Sequence, residues 1–343
     1  MSSVTMRGMW MRGVVACVPE REVLNERDYP WFDPAEIRKI TAMVGVKSRR
    51  VADDGVCTSD LCRAAAARLL DHIGWESGSV DGLILASQTF DYIMPPTSCM
   101  LQHQLGLSDR CASFDVALGC SAYVYGLWLA NSLLAAGACR RVLLLAGDTP
   151  SKFVNSRDRA TALLFGDAGT ATALEAGTLE DPQAHYIMRT DGSGARDLII
   201  KGGAFRNRFP EATEEYCVTM DGGHIFDFTR GRVPVLIEEM LVLSRKPATG
   251  YDLFVFHQAN EYLIKFIASK SGVNMAKVPL SIGGFGNTAA GSVPLTLAMA
   301  GLPDTERDTA DVMFLGFGVG LSWGAASLTV PRSSFLHHFT YGN

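Results

Sequence analysis

The chain has 343 residues, a formal net charge of −5, and 48% hydrophobic against 20% charged residues. That composition supplies a substantial core, excludes a disordered chain and argues against a general affinity for nucleic acid. No apolar run reaches the roughly 18 residues of a membrane span, and Arg7 and Arg12 interrupt what would be the apolar part of a signal peptide. The eight cysteines form no CxxC pair and no cysteine–histidine cluster at metal-ligand spacing. Reduced thiols, no metal site, no membrane association and a cytoplasmic location are therefore expected.

Residues 8–18, GMWMRGVVACV, predict an opening strand closed by Pro19. The segment to Gly45 is polar with helical portions, and GVKSRR at 45–50 turns the chain. SDLCRAAAARLLDHIG predicts an amphipathic helix capped by Ser59 or Asp60 and ended by Gly74. A strand, VDGLILASQT, follows at 80–89, then a helix through TSCMLQHQLGL after Pro95 and Pro96. CASFDVAL predicts a strand leading into Cys120 and a long apolar helix. RRVLLLAGD at 140–148 reads as a strand buried on both faces, and LLFGDAGTATALEA at 163–176 as another with a glycine-rich entry.

The stretch 177–223 is polar and glycine-rich, and reads as a linker with surface insertions between an N-terminal half, 1–176, and a C-terminal half, 224–343. Helical spacing resumes in GHIFDFTRGRVPVLIEEMLVLSR, with Pro234 marking a break or a first turn. YDLFVFHQAN at 251–260 ends a strand on His257 and opens a helix. SIGGFGNTAAGSVPLTLAMAGL feeds a glycine-rich loop into another helix, and DVMFLGFGVGLSWGAASLTV predicts two strands bent around Gly316, Gly318 and Gly320. Alternating strands and helices define an α/β layered pattern. The likeness of 80–89 to 251–260 makes a duplicated α/β unit plausible.

Chemistry concentrates in three places. Gly119 permits a tight turn that delivers Cys120 to a helix N-terminus, where free N–H groups and the helix dipole are expected to lower a thiol pKa and make a nucleophile. His257 with Asn260 lies at a strand end, and Asn287 lies in GGFGNTAAGS. Converging on a thioester carbonyl, a cysteine with His and Asn donors would form an acyl-enzyme and stabilise an oxyanion.

These segments resemble the β-ketoacyl-acyl carrier protein synthase III family of the thiolase-fold condensing enzymes, nearly end to end. GVKSRR is similar to the family's early turn, FDVALGCSAYVYGL to its nucleophile segment and LLFGDAGTA to its central glycine motif. FHQAN, GNTAAGSVPL and LGFGVGLSWGA resemble its histidine, asparagine and C-terminal glycine motifs. The resemblance implies a thiolase-like fold of two pseudo-duplicated halves in αβαβα layers. It makes Cys120 the acylated nucleophile, with His257 and Asn287 donating to the carbonyl of a malonyl extender as CO₂ departs. Backbone N–H groups of Cys120 and Val319 would form the oxyanion hole.

The family likeness further places Arg159 near a coenzyme A phosphate and Met94 at a dimer-crossing position beside the acyl pocket. Lys39 and Met43 stand where the family has an adenine-sandwiching tryptophan and arginine, which favours a carrier-bound or unusual acyl donor. Lys265 and Lys270 are candidates for docking an acidic carrier protein, although Tyr262 replaces a basic family residue on that helix. A homodimer through CASFDVAL is implied, with coenzyme A or carrier-protein thioesters as substrates and no cofactor. Two other readings are carried: transfer of the Cys120-bound acyl group to an alcohol, amine or other nucleophile without decarboxylation, and a catalytically silent acyl-binding subunit.

Overall fold

The computed structural model describes residues 3–342. Its strands, in chain order, are β1 (Ser3–Met6), β2 (Met9–Val18), β3 (Glu22–Leu24), β4 (Ser48–Arg50), β5 (Gly82–Ala86), β6 (Ala112–Val116), β7 (Arg141–Asp148) and β8 (Ala168–Ala176). There follow β9 (Ala184–Thr190), β10 (Leu198–Ile200), β11 (Val218–Met220), β12 (Leu253–Phe256), β13 (Thr309–Gly318), β14 (Ser322–Pro331) and β15 (Phe335–Thr340). The helices are α1 (Asn25–Asp28), α2 (Pro34–Val44), α3 (Thr58–Ile73), α4 (Thr97–Gln104), α5 (Ala122–Ala135), α6 (Arg159–Ala162), α7 (Gly222–Ser244), α8 (Glu261–Lys270), α9 (Ile282–Phe285) and α10 (Ser292–Ala300).

One sheet has six strands in the order β15-β2-β8-β7-β5-β6, the other five in the order β1-β9-β14-β13-β12. In the first, β8 is antiparallel to β2 and β7, and β7 is parallel to β5. In the second, β14 is antiparallel to β9 and β13, and β13 is parallel to β12. The segments 80–89 and 251–260 thus feed equivalent strands, β5 and β12, and the duplication is present in the topology.

Sequence pattern decides which helix goes where. AYVYGLWLANSLLA of α5 and SVPLTLAMA of α10 are apolar on all sides, so both lie between the sheets, each touching strands of the two. Amphipathic α3 covers the outer face of the six-stranded sheet with Leu61, Cys62, Ala65, Ala66 and Leu69, while α7 covers the outer face of the other sheet and α8 packs on it. The result is the expected αβαβα layering. The apolar run of β7 is buried from Val142 onward, as its pattern predicts.

Four local expectations change. The supposed linker 177–223 carries β9, which pairs with both β1 and β14 inside the five-stranded sheet. The halves also exchange end strands: β1 joins the C-terminal half's sheet, and β15 pairs parallel with β2. Long-range pairing outweighs the polar flanks that make the region look unstructured. Cys57 is the N-cap of α3, and Asp60 instead accepts from the Cys57 N–H at 2.9 Å. Finally, α7 runs unbroken through Pro234; burial of Val233, Pro234, Leu236 and Ile237 sustains it despite the missing N–H.

Candidate active site

Cys120 follows β6 and lies two residues before the first residue of α5. Its thiol sits against the turn between β13 and β14. The Val319 N–H donates to Sγ, and Val319 is not among the residues with positive φ, so its side chain is compatible with that role. Gly318 is the residue that cannot be replaced: φ is +153°, and a Cβ there would lie 2.7 Å from Cys120 Cβ and 2.9 Å from Sγ. Next to it, Ser121 Oγ and Ser322 Oγ are 2.6 Å apart, fastening the cysteine loop to β14.

The electrostatics of Cys120 differ from expectation. Burial pushes the thiol up to about 12, and the Asp148 carboxylate adds to the rise; N–H groups of Val319 and Cys120 only partly oppose it. A helix end contributes typically 0.3–1 kcal/mol, less than the several kcal/mol that removing a thiolate from water costs. The balance favours a protonated Cys120 thiol over a thiolate.

His257 immediately follows β12 and is 1% exposed. Its ring packs edge-on against Phe317, centroids 5.4 Å apart, and Phe317 is the residue before Gly318. Burial drives the imidazole down to about 3, so it is neutral. Nδ1 lies 2.7 Å from Ser292 Oγ.

Asn287 is clamped by backbone from the other half: its N–H donates to Leu164 O at 2.9 Å, and its carbonyl accepts from the Gly166 N–H at 3.1 Å. The side-chain Oδ1 accepts from the Ala289 N–H at 2.9 Å. That bond fixes the amide orientation and leaves the NH₂ as the donating end. Ala289 adopts φ +46°, and its carbonyl accepts from Ser292 Oγ at 2.9 Å. Cys120, Val319, Gly318, Phe317, His257, Ser292, Ala289 and Asn287 therefore form one continuous line of contacts.

Asp148, at the end of β7, holds the two halves together beside this line. Its Oδ1 accepts from the Gln88 N–H at 2.7 Å, Ser87 Oγ at 2.9 Å and Thr89 Oγ1 at 3.0 Å, while Oδ2 accepts from the Ala290 N–H at 3.0 Å. Burial raises its carboxyl to about 6 against those four donors. Neither Asp148 nor Ser292 stood out in the sequence. Ser292 belongs to the same GNTAAGSVPL motif as Asn287, but Asp148 reaches Ala290 across 142 residues of chain.

The outlying residues fall as follows. Arg159 forms an exposed ion pair with Glu36. Met94 is 79% exposed on a loop with Tyr92 and Ile93. Lys265 pairs with Glu261 at 2.5 Å, and Lys270 lies in the last turn of the same helix. Exposed Tyr262 stacks on Phe226, centroids 6.1 Å apart. Met43 is exposed near the end of α2, where Lys39 also lies. All eight cysteines are unpaired, and no helix among the described residues is long and apolar enough to cross a membrane.

A doubled α/β core with a cysteine at one central helix start, and a histidine and an asparagine loop converging from the other half, defines a thiolase-fold acyl-condensing enzyme. Residues 114–192 match the family model for 3-oxoacyl-[acyl-carrier-protein (ACP)] synthase III, and residues 247–330 match the model for its C-terminal part. A β-ketoacyl-[acyl-carrier-protein] synthase III of Streptomyces coelicolor is 34% identical, with 95% of this chain and 98% of that protein covered. The crystal structure of a 3-oxoacyl-(acyl-carrier protein) synthase from Burkholderia xenovorans LB400 superposes with a TM-score of 0.93 at 40% identity, covering 98% of each chain. The priming β-ketosynthase of the R1128 polyketide pathway superposes with a TM-score of 0.86 at 26% identity, covering 95% of this chain and 97% of that one. The chain belongs to the 3-oxoacyl-[acyl-carrier-protein] synthase III family. It is an acyltransferase of the Claisen-condensing type, and these likenesses favour condensation over acyl transfer without decarboxylation.

Proposed function

We propose that Cys120 takes the acyl group from a coenzyme A or carrier-protein thioester and that His257 and Asn287 serve its decarboxylative condensation with a malonyl thioester. The observation that carries this reading is the orientation of Asn287: its Oδ1 is occupied by the Ala289 N–H, which aims the amide donor end away from the loop. Loss of CO₂ places negative charge on the thioester oxygen, so a fixed donor there stabilises the transition state more than the bound extender. The N–H groups of Val319 and Cys120, already directed at Sγ, suit the oxyanion of the acyl-transfer steps. No cofactor enters this chemistry, since the thioester supplies the leaving group and the carboxylate the carbanion.

Further features bear on partners. Among the described residues, strand β6 pairs only with β5 and forms an edge of the six-stranded sheet, and the exposed loop Tyr92–Met94 precedes it in the chain; both suit a homodimer in which Met94 reaches the partner's acyl pocket. Lys270, together with Lys265 once released from Glu261, suits an acidic carrier protein. Arg159 would hold a coenzyme A phosphate by exchanging Glu36 for it. The unpaired cysteines support a reducing, cytoplasmic setting.

The test is intact-protein mass after exposure to acyl-coenzyme A and acyl-carrier donors, followed by malonyl-carrier protein with CO₂ monitored. An adduct on Cys120 that disappears with stoichiometric CO₂ is expected. An adduct that survives malonyl addition would overturn the condensation assignment.

A further inference from the structure

One hydroxyl in the buried line has two partners and only one proton. Ser292 Oγ lies 2.7 Å from His257 Nδ1 and 2.9 Å from the Ala289 carbonyl, and Ser292 is 0% exposed. A carbonyl can only accept, so the bond to Ala289 uses the hydroxyl proton. Oγ is then an acceptor toward His257, and the ring must donate from Nδ1. The reverse arrangement, with the hydroxyl donating to Nδ1, makes one of these two bonds instead of both; the Ala289 carbonyl then keeps only its bond from the Ser292 N–H. Ser292 and His257 are 0% and 1% exposed, and among buried polar groups the arrangement that satisfies more of them prevails.

We propose that Ser292 is a positioning residue that holds His257 with its single ring proton on Nδ1, leaving Nε2 as a proton acceptor in the resting enzyme. This rests on the condensing reading above and deepens it, because it gives His257 and Asn287 different duties: Asn287 starts as a donor, and His257 does not. The proton this acceptor would take is the one Cys120 must lose as its sulfur–carbon bond forms. On acylation the S–H proton moves to Nε2 as sulfur bonds to the donor's carbonyl carbon. The carbonyl carbon's bond to the departing thiol breaks, and that thiolate takes a proton from solvent. His257 then bears protons on both nitrogens and becomes a donor to the extender's thioester oxygen. When CO₂ leaves, the enolate carbon attacks the acyl group, the S–C bond to Cys120 breaks, and sulfur recovers the Nε2 proton. Each turnover consumes one solvent proton and returns His257 to its starting form.

The experiment is ¹⁵N-histidine NMR of the full-length enzyme at neutral pH without any thioester, with the His257 signals assigned by their loss in His257→Gln. The expected spectrum has a protonated, pyrrole-type Nδ1 and an unprotonated, pyridine-type Nε2. Ser292→Ala should shift His257 toward the Nε2–H form and slow Cys120 self-acylation by roughly tenfold to a hundredfold, the scale on which a histidine's hydrogen-bond partner acts. A wild-type spectrum with Nε2 protonated would overturn the proposal, as would a Ser292→Ala enzyme with unchanged tautomer and unchanged self-acylation. If Ser292→Ala does not fold, the wild-type spectrum decides alone. Because no malonyl thioester is present, a failure of decarboxylation elsewhere would overturn the condensing assignment and leave this result standing.

Discussion

The N-terminal half's central helix α5 begins two residues after Cys120, whereas the C-terminal half's α10 begins five residues after Asn287 and its first residue is Ser292. Both helices are apolar on all sides and packed between the same two sheets. The N-terminal half uses its helix start to seat the Cys120 sulfur against the β13–β14 turn. The C-terminal half holds its side chains by hydrogen bonds around its helix start: the Ala289 N–H donates to Asn287 Oδ1, and Ser292 Oγ lies 2.7 Å from His257 Nδ1. On the proposed reading, a duplicated frame carries the covalent site on one side and a donor–acceptor pair on the other. The two are joined where Asp148 accepts from the Ala290 N–H and where Asn287 is clamped by Leu164 and Gly166.

The largest effect that would break this division is at the sulfur. Cys120→Ala is expected to abolish the acyl adduct in intact-mass measurements with every donor, and a persistent adduct would remove the N-terminal half's assigned role. Asn287→Ala should lose malonyl decarboxylation by on the order of a hundredfold or more, the loss seen when one oxyanion donor is removed. Self-acylation in the same variant should change far less; an equal loss in both half-reactions would erase the distinction between the halves. Gly318→Ala should depress self-acylation strongly, because the added methyl meets Cys120 and φ is +153°. Gly284→Ala, with nothing within 4 Å of the added Cβ, is the control and should leave self-acylation unchanged.

A smaller effect concerns the join. Asp148→Ala strands the buried Ser87 hydroxyl and Ala290 N–H and should cost on the order of 3 kcal/mol in denaturant unfolding; a loss within experimental error would mean that the halves do not depend on this carboxylate.

The smallest effect at neutral pH is one that acid reveals. The His257 pKa falls from 6.5 to about 3 on folding, so the unfolded chain binds this proton first. Stability from His257 is complete above pH 6.5 and is lost as pH falls from there toward 3. His257→Gln should flatten that part of a Tm–pH curve, and an unchanged curve would contradict a buried neutral imidazole. Iodoacetamide at neutral pH should modify the exposed Cys99 and leave Cys120 largely unlabelled until the pH rises well past the ordinary thiol range. Selective labelling of Cys120 would restore the thiolate expected from its helix position.

The sequence by itself determined the layered architecture and the paired strands 80–89 and 251–260, and it singled out Cys120, His257 and Asn287 as candidates. Hydrophobic period, glycine placement and polar residues at strand ends are local properties that survive in one dimension. Only the tertiary structure decided that β9, inside the supposed linker, belongs to a sheet, and that β1 and β15 cross between halves, since strand partners are chosen by long-range burial. It also decided the charge states. A helix N-terminus is visible in sequence and promises a thiolate at Cys120, but the desolvation that outweighs it exists only once β13 and β14 close over the sulfur. In the same way, Ser292 is an unremarkable polar residue of a helix start until folding places it 2.7 Å from a histidine 35 positions earlier in the chain.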